Sequence, residues 1–359
     1  MKRMRLQKGL NTNKTAQEII ERAETGRALA RAEAEAFMEE LLSGRMETPE
    51  IVRMLVALNQ RPVSVAELTG FVRVMRRHAA PVFAAGEPRP TGMVDTCGTG
   101  GDDSGTFNIS TAAAIVASAA GARVAKHGNR AVSSRSGSAD VLEALGVNIE
   151  LPLVHAGRGV REIGIGFLYA PAANAAARHA GPARRQIGKR TVFNLLGPLT
   201  NPAGAEAQVL GVFSAEVLDT VAATLAEFGT KRAFVIHGAG RLDEISLAGE
   251  TQIAEVRDGK VRRFAVTPEE FGVERAPLEA LAGGTPRENA RLIEALLVGE
   301  NGPRLDIVIV NAAAALAVSG KAGDFRSAAE LARRAVASGE AREKLEQLKK
   351  FTKQHGAKG

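Results

Sequence analysis

The sequence predicts an α/β protein: a small helical N-terminal domain followed by a large α/β domain with a mostly parallel central sheet. Three observations predict it. From Lys14 to about Ala80 the apolar residues recur at helical spacing. From Gly92 onward, short apolar or β-branched runs alternate with Ala-rich stretches, the pattern of parallel strands covered by helices. Between the two, the segment 80–91 contains Pro81, Pro88 and Pro90, the composition of a linker. A chain of 359 residues suffices for one large domain and one smaller one.

In chain order, residues 1–13 read as a disordered basic leader. Residues 14–90 form the helical domain. There Ile51, Met54, Leu55 and Leu58 fall at i, i+3, i+4 and i+7, and Val65, Leu68, Phe71, Val72 and Met75 repeat the stripe. Pro49 and Pro62 stand near helix starts, where a missing N–H costs little. The α/β domain, residues 91–359, is expected to hold strands at 92–96, 123–126, 147–150, 166–170, 208–213, 233–237 and 306–310. Helices are expected at 109–120, 139–145, 215–228, 287–297 and 326–337, with a last charged helix over 340–354. Residues 251–266 alternate around Asp258-Gly259, which predicts a hairpin with a type I′ turn.

Composition narrows the class. The net charge is +7, and part of it sits at the two ends: Lys2, Arg3, Arg5 and Lys8, then Lys349, Lys350, Lys353 and Lys358. These read as solvated tails rather than as a nucleic-acid surface. The single Cys97 excludes an internal disulfide and a multi-cysteine metal site, which suits a reducing compartment. No signal-peptide core or 18-residue apolar run is present, so the expected location is the cytoplasm, away from membranes.

The stretch Val94–Thr111, VDTCGTGGDDSGTFNIST, reads as a strand end, a glycine-rich loop and a helix start. Gly98, Gly100 and Gly101 let backbone approach a ligand, while Asn108, Ser110 and Thr111 are residues that cap helices. Free N–H groups at a helix start suit phosphate. The loop is neither a Walker A, since no Lys follows the glycines, nor a dinucleotide fingerprint, since Asp103 stands where the third Gly belongs. Asp102 and Asp103 point instead to a metal ion or a hydroxyl-rich sugar beside the phosphate.

Three further stretches carry chemistry. KHGNRAVSSRSGS (126–138) again follows a strand and precedes a helix, and combines Gly128 and Gly137 with Ser133, Ser134, Ser136 and Ser138, Lys126, Arg130 and Arg135. This is an anion site rather than an ordinary basic loop, because hydroxyls and glycines accompany the charge. HGAGRLDEIS (237–246) offers Asp243 and Glu244; on a loop both can face one cation, and Mg²⁺ uses hard oxygens together with substrate phosphates. RRQIGKRTVFNLLGPLTNP (184–202) gives cations, an apolar run and turns at Gly197-Pro198 and Asn201-Pro202, one wall for a flat apolar ligand whose carboxylate Arg184 or Arg185 would bind. His127 is the natural candidate for a proton-transfer or orienting role.

Taken together, GTGGD (98–102), NIST (108–111), KHGNR (126–130), SGSADVLEALG (136–146), RTVFNLLGPLTNPA (190–203) and LDE (242–244) resemble, in order and spacing, the anthranilate phosphoribosyltransferase family, over about residues 15–345. The resemblance implies a fold of the nucleoside phosphorylase/phosphoribosyltransferase type, with residues 171–190 packing back onto the helical domain, and a homodimer formed through that domain. It implies transfer of phosphoribose from phosphoribosyl pyrophosphate to anthranilate in tryptophan biosynthesis, with Mg²⁺. Gly98, Thr99, Gly101, Asp102, Asn108, Ser110, Thr111, Lys126 and Ser138 would hold phosphoribosyl pyrophosphate, with Ser134 or Ser136 as alternatives to Ser138. Asp243, Glu244 and Ser110 would serve the metal. Gly98, His127, Asn129, Asn174, Arg184, Gly197 and Pro198 would line the anthranilate site, His127 orienting the acceptor and Arg184 meeting its carboxylate. After Tyr169-Ala170-Pro171 the family carries a His-Pro pair where this chain has Asn174-Ala175. Asn hydrogen-bonds but neither stacks nor carries charge as imidazole does.

Two other functions fit the same architecture. A pyrimidine nucleoside phosphorylase would take phosphate and a nucleoside without Mg²⁺. A non-enzymatic nucleic-acid-binding relative would use the terminal basic clusters and show steep salt dependence.

Overall fold

The computed structural model describes residues 16–131 and 134–356; the leader expected at 1–13, Ser133 and Lys358 lie outside the described residues. The first helices are α1 (16–24), α2 (Arg31–Leu42), α3 (Thr48–Leu58) and α4 (Val65–His78). Alternation follows: β1 (Met93–Thr96), α5 (Ile109–Ala119), β2 (Arg123–Gly128), α6 (Ser138–Ala144), α7 (Leu153–Glu162), β3 (Ile165–Tyr169) and α8 (Ala170–Ala173). Next come α9 (Gly181–Ile187), α10 (Phe193–Leu199), β4 (Ala207–Gly211), α11 (Leu218–Glu227), β5 (Arg232–Gly238), β6 (Thr251–Arg257) and β7 (Lys260–Val266). Helices α12 (Pro286–Leu297), α13 (Pro303–Val318), α14 (Phe325–Ala337) and α15 (Glu340–Gly356) close the chain. Two compact units result: residues up to Ala79 with Asn174–Thr200, and Ala80–Ala173 with Asn201–Gly359.

In the helical unit, the stripe read from sequence is the buried face of α3, with Ile51, Met54, Leu55 and Leu58 all enclosed. Pro49 lies in the first turn of α3, and Ser64 caps α4 by accepting the Glu67 N–H. Helices α2 and α4 cross closely at Gly70, where a Cβ would stand 2.7 Å from the Arg31 carbonyl oxygen and 2.8 Å from the Ala34 Cβ. Glu67 is fully buried; it pairs with Arg61 and accepts the Leu29 and Ser64 N–H groups, each at 2.9 Å. Burial alone would raise its pKa, but those partners outweigh burial and hold it below the ordinary range. Gly197-Pro198 is not a free turn as expected: both residues lie in the last turn of α10, which Arg76 fastens by donating from Nε to the Leu199 carbonyl at 2.8 Å.

The α/β unit carries a seven-stranded sheet in the order β3-β2-β1-β4-β5-β6-β7. The first five strands in that order pair in parallel, while β6 and β7 are antiparallel additions. The carboxyl ends of β1, β2, β4 and β5 therefore lie along one edge, where ligands collect in open α/β sheets. The hairpin turn has Asp258 at φ 50° and Gly259 at φ 75°, the two positive values a type I′ turn requires.

Two expected strands are absent. Residues 306–310 lie inside α13, whose residues from Leu305 to Val318 are nearly all buried. A helix enclosed on every side has no polar face, so DIVIV shows no 3.6-residue period and mimics a buried strand. Residues 147–150 form an irregular turn: Val147 and Ile149 are buried, but the Asn148 N–H is satisfied by the Thr352 hydroxyl of α15 at 3.1 Å rather than by a ladder. Lys349 is likewise no tail residue; it lies on α15 and pairs with Glu294 and Glu346.

Candidate active site

The glycine loop leaves β1 and is drawn back over the sheet edge. The Thr99 N–H donates to the Gly211 carbonyl at 2.9 Å, and the Thr99 hydroxyl accepts the Phe213 N–H at 3.1 Å. Gly100 and Gly101 have φ of 61° and 68°, a turn of the backbone that side chains resist. Asp102 folds into the loop, accepting the Ser104 N–H and hydroxyl on Oδ1 and the Asp243 N–H on Oδ2. Asn108 occupies the cap position of α5, but its side chain makes no cap bond. Its amide donates to the Ser136 carbonyl at 3.0 Å instead, and its oxygen accepts from the Ser136 hydroxyl at 3.0 Å and from Asn289 at 2.9 Å.

Asp243 and Glu244 come from the loop after β5 and meet this first loop. Asp243 Oδ2 accepts the Gly100 N–H at 2.7 Å, and Glu244 Oε1 accepts the Ser110 N–H at 3.1 Å. The two carboxylates line a recess with Thr96, Cys97, Gly98 and Ser110. A Cβ at Gly98 would run into the Asp243 carboxylate, and one at Gly211 into the Asp243 carbonyl, so both glycines are needed for the loops to meet. Burial pushes the pKa of both carboxyls well up; repulsion from Asp102 adds to it at Asp243, and repulsion from Asp243 adds to it at Glu244. Crowded, desolvated carboxylates are a donor set that suits a hard divalent ion. Mg²⁺ binds through one or two carboxylates and takes further oxygens from substrate phosphates and water. Burial also raises the Cys97 thiol, with the nearby Asp95 adding to it, so it stays protonated and inert as a nucleophile.

Strand β2 brings Lys126 against the wall of this recess. Its Nζ donates to the Thr96 carbonyl at 2.6 Å, and to Thr96 Oγ1 and Ser110 Oγ at 3.3 Å each. The next residue, His127, is 3% exposed, and its N–H donates to Asp95 Oδ1 at 3.1 Å. Burial pushes the Asp95 carboxyl up to about 6. Gly128 packs against Phe167, whose ring would stand 2.8 Å from a Cβ. The Asn129 carbonyl accepts from the Ala139 N–H and the Ser138 hydroxyl. Arg130 is not a free anion ligand: it pairs with Asp140 and Glu143 of α6. Thr111 also departs from the expected arrangement, being 1% exposed with its hydroxyl enclosed and unpartnered.

The remaining expected residues belong to the helical unit. Arg184 on α9 is half-buried, its guanidinium 5.4 Å from the centroid of the Phe193 ring, and no carboxylate among the described residues pairs with it. Burial lowers its pKa, the signature of a cation short of a counter-charge. Open space lies beside Gly197, where a Cβ would meet nothing within 4 Å. Asn174 caps a short 3₁₀ turn over Ala175–Ala180 without a side-chain cap bond.

Sequence reasoning missed Gly211, Asn289 and Asn311. Asn311 is 3% exposed and exchanges both amide bonds with the backbone of Ile245, at 2.9 and 3.0 Å, fixing the loop that carries Asp243 and Glu244. The signal was an amide inside an otherwise apolar helical stripe, which in a core must be hydrogen-bonded.

The sequence matches the profiles "Glycosyl transferase family, helical bundle domain" over residues 17–79 and "Glycosyl transferase family, a/b domain" over 90–342. An anthranilate phosphoribosyltransferase of Symbiobacterium thermophilum is 48% identical over 93% of this chain and 97% of its own length. The crystal structure of anthranilate phosphoribosyltransferase from Thermus thermophilus superposes with a TM-score of 0.87 at 46% identity, covering 93% of this chain and 99% of that one. The enzyme of Saccharomyces cerevisiae in complex with PRPP and Mg gives 0.86 at 27% identity, covering 95% and 98%. The helical and α/β units, the mostly parallel sheet and these matches agree: the chain belongs to the anthranilate phosphoribosyltransferase family.

Proposed function

We propose that this protein transfers the 5-phosphoribosyl group from phosphoribosyl pyrophosphate to anthranilate, giving N-(5-phosphoribosyl)anthranilate and pyrophosphate, a step of tryptophan biosynthesis, with Mg²⁺ as cofactor. The observation that carries it is the convergence of the glycine loop and the Asp243-Glu244 pair on one recess at the strand ends, with Lys126 bonded to Thr96 and Ser110 in its wall. Family membership and the names of relatives at about half identity support the same reaction.

In this reading Gly98, Thr99, Gly101, Asp102, Asn108, Ser110, Lys126 and Ser138 hold phosphoribosyl pyrophosphate, with Thr111 beside them in the first turn of α5. Asp243, Glu244 and Ser110 would hold Mg²⁺, which when bound offsets the charge of the pyrophosphate. Lys126 and the loop N–H groups stabilise the leaving group as negative charge develops on it; one preorganised donor of this kind contributes about 10²–10³ in rate. The anthranilate amine displaces pyrophosphate at the ribosyl C1 with inversion. An aryl amine is nucleophilic enough that positioning outweighs a strong base. His127 and Asn129 orient the acceptor, Arg184 neutralises its carboxylate, and Gly98, Asn174, Gly197 and Pro198 bound its ring. Association through the helical unit into a homodimer and a cytoplasmic location belong to the same reading; among the described residues no helix is long and apolar enough to cross a membrane.

The test follows the loss of anthranilate fluorescence with purified protein, phosphoribosyl pyrophosphate and Mg²⁺. Consumption of anthranilate supports the reading. Phosphorolysis of uridine or thymidine in its place, without Mg²⁺, would replace it with the nucleoside phosphorylase function.

A further inference from the structure

Asn289 stands on α12, far in sequence from every phosphate-type loop, and is 1% exposed. Its amide lies at the end of a patch where two segments pair: the Phe107 N–H donates to the Leu281 carbonyl, the Gly283 N–H to the Gly105 carbonyl, and Thr106 bridges Ala282. The packing is tight, since a Cβ at Gly283 would stand 2.6 Å from the Phe107 backbone.

The hydrogen bonds fix which way each amide points. The Gly284 N–H, which can only donate, bonds to Asn289 Oδ1 at 2.7 Å. That turns Asn289 Nδ2 toward Asn108, whose Oδ1 accepts at 2.9 Å. Asn108 Nδ2 then faces the Ser136 carbonyl, which can only accept, at 3.0 Å. A backbone donor at one end and a backbone acceptor at the other leave this chain one consistent direction. The Ser136 hydroxyl takes the second lone pair of Asn108 Oδ1 at 3.0 Å. Asn108 is left with one Nδ2–H at the start of α5, and Ser136 is held beside the start of α6.

We propose that Asn289 is a positioning residue for phosphoribosyl pyrophosphate: it polarises Asn108, so that the glycine loop and the 134–138 loop present hydrogen-bond donors to the phosphoribosyl end of the substrate. It acts through Asn108 and Ser136 and touches no reacting atom. This rests on the phosphoribosyl pyrophosphate reading of the two loops.

Asn289→Asp tests it. Assayed at about pH 9 to keep it ionised, the carboxylate still accepts the Gly284 N–H, so the turn before α12 keeps its anchor, but it offers no donor to Asn108. The Asn108 amide must then flip and set its oxygen against the Ser136 carbonyl. A buried group left unsatisfied in this way corresponds to a rise in KM for phosphoribosyl pyrophosphate of about tenfold or more. The expected pattern is that rise, matched by weaker calorimetric binding of phosphoribosyl pyrophosphate, with kcat and the KM for anthranilate changed less than about threefold. Glu288→Gln is the control. It weakens the N-terminal box of the same helix, whose Thr285 N–H donates to Glu288 at 2.6 Å, without touching Asn108. It should lower thermal stability and leave the KM for phosphoribosyl pyrophosphate unchanged. Equal loss of kcat and both affinities in Asn289→Asp, or a KM rise in Glu288→Gln as large as in Asn289→Asp, would overturn the proposal by making Asn289 a fold residue only. Failure of the wild type to bind phosphoribosyl pyrophosphate by calorimetry would defeat the underlying reading instead.

Discussion

Gly211→Ala should separate catalysis from folding at the point where the two acidic loops meet the sheet. Gly211 ends β4, and its carbonyl accepts the Thr99 N–H at 2.9 Å. A Cβ there would fall inside the Asp243 peptide, with the carbonyl oxygen and carbon both well within the 3.0 Å limit of real Cβ contacts. Because the obstacle is backbone, no rotamer change relieves it. The Asp243 peptide must retreat by more than about 1 Å, and a misplacement of that size costs about 10²-fold in rate. Overpacking a tight site costs about 1–3 kcal/mol of stability, so the variant is expected to fold. The assay is anthranilate consumption at varied Mg²⁺, with circular dichroism and a thermal melt on the same sample. The predicted result is a native spectrum, a lowered Tm, a kcat/KM down about 10²-fold and a higher Mg²⁺ requirement. Gly98→Ala presses only on the Asp243 carboxylate and should give the milder form of the same defect. A folded Gly211→Ala protein within about threefold of wild-type activity would refute the reasoning.

Further expectations follow from the same geometry. Lys126→Met removes the cation that bonds Thr96 and Ser110, and turnover should fall by about 10²–10³ while anthranilate affinity is retained; an unchanged rate would remove Lys126 from leaving-group stabilisation. Glu67→Gln leaves half-buried Arg61 without its counter-charge and gives the Leu29 and Ser64 N–H groups a weaker acceptor, and chemical denaturation should show a loss of about 1–3 kcal/mol; a loss under about 0.5 kcal/mol would show the pair to be dispensable. Because the pKa values of Asp243 and Glu244 are raised in the metal-free protein, Mg²⁺ must displace protons to bind there. Its affinity should therefore rise with pH, by up to about tenfold per unit for each proton displaced, and level off once both carboxyls are ionised; a pH-independent calorimetric Kd would contradict this.

What could be read from the sequence follows physical lines. The glycine loop, Lys126, the acidic pair and the type I′ hairpin were legible because each is a local requirement: a turn, a strand end or two adjacent charges. The mostly parallel sheet was legible from strand–helix alternation, though α13 passed for a strand because a fully enclosed helix shows no period. Asn289 and Asn311 escaped because their roles exist only once α12 and α13 pack against loops 66 to 181 positions away. Asn108 was chosen correctly as a cap position, yet its side chain is claimed by Ser136 and Asn289, a competition that local propensity cannot reveal.

The most direct test of the account measures anthranilate consumed and pyrophosphate released in the same reaction, with Mg²⁺ and with excess chelator, for wild type and Asp243→Asn. The account predicts one pyrophosphate per anthranilate in the wild type with Mg²⁺, loss of both signals with chelator, and a strongly raised Mg²⁺ requirement in the variant. Pyrophosphate release without anthranilate consumption, or full turnover with chelator present, would contradict it.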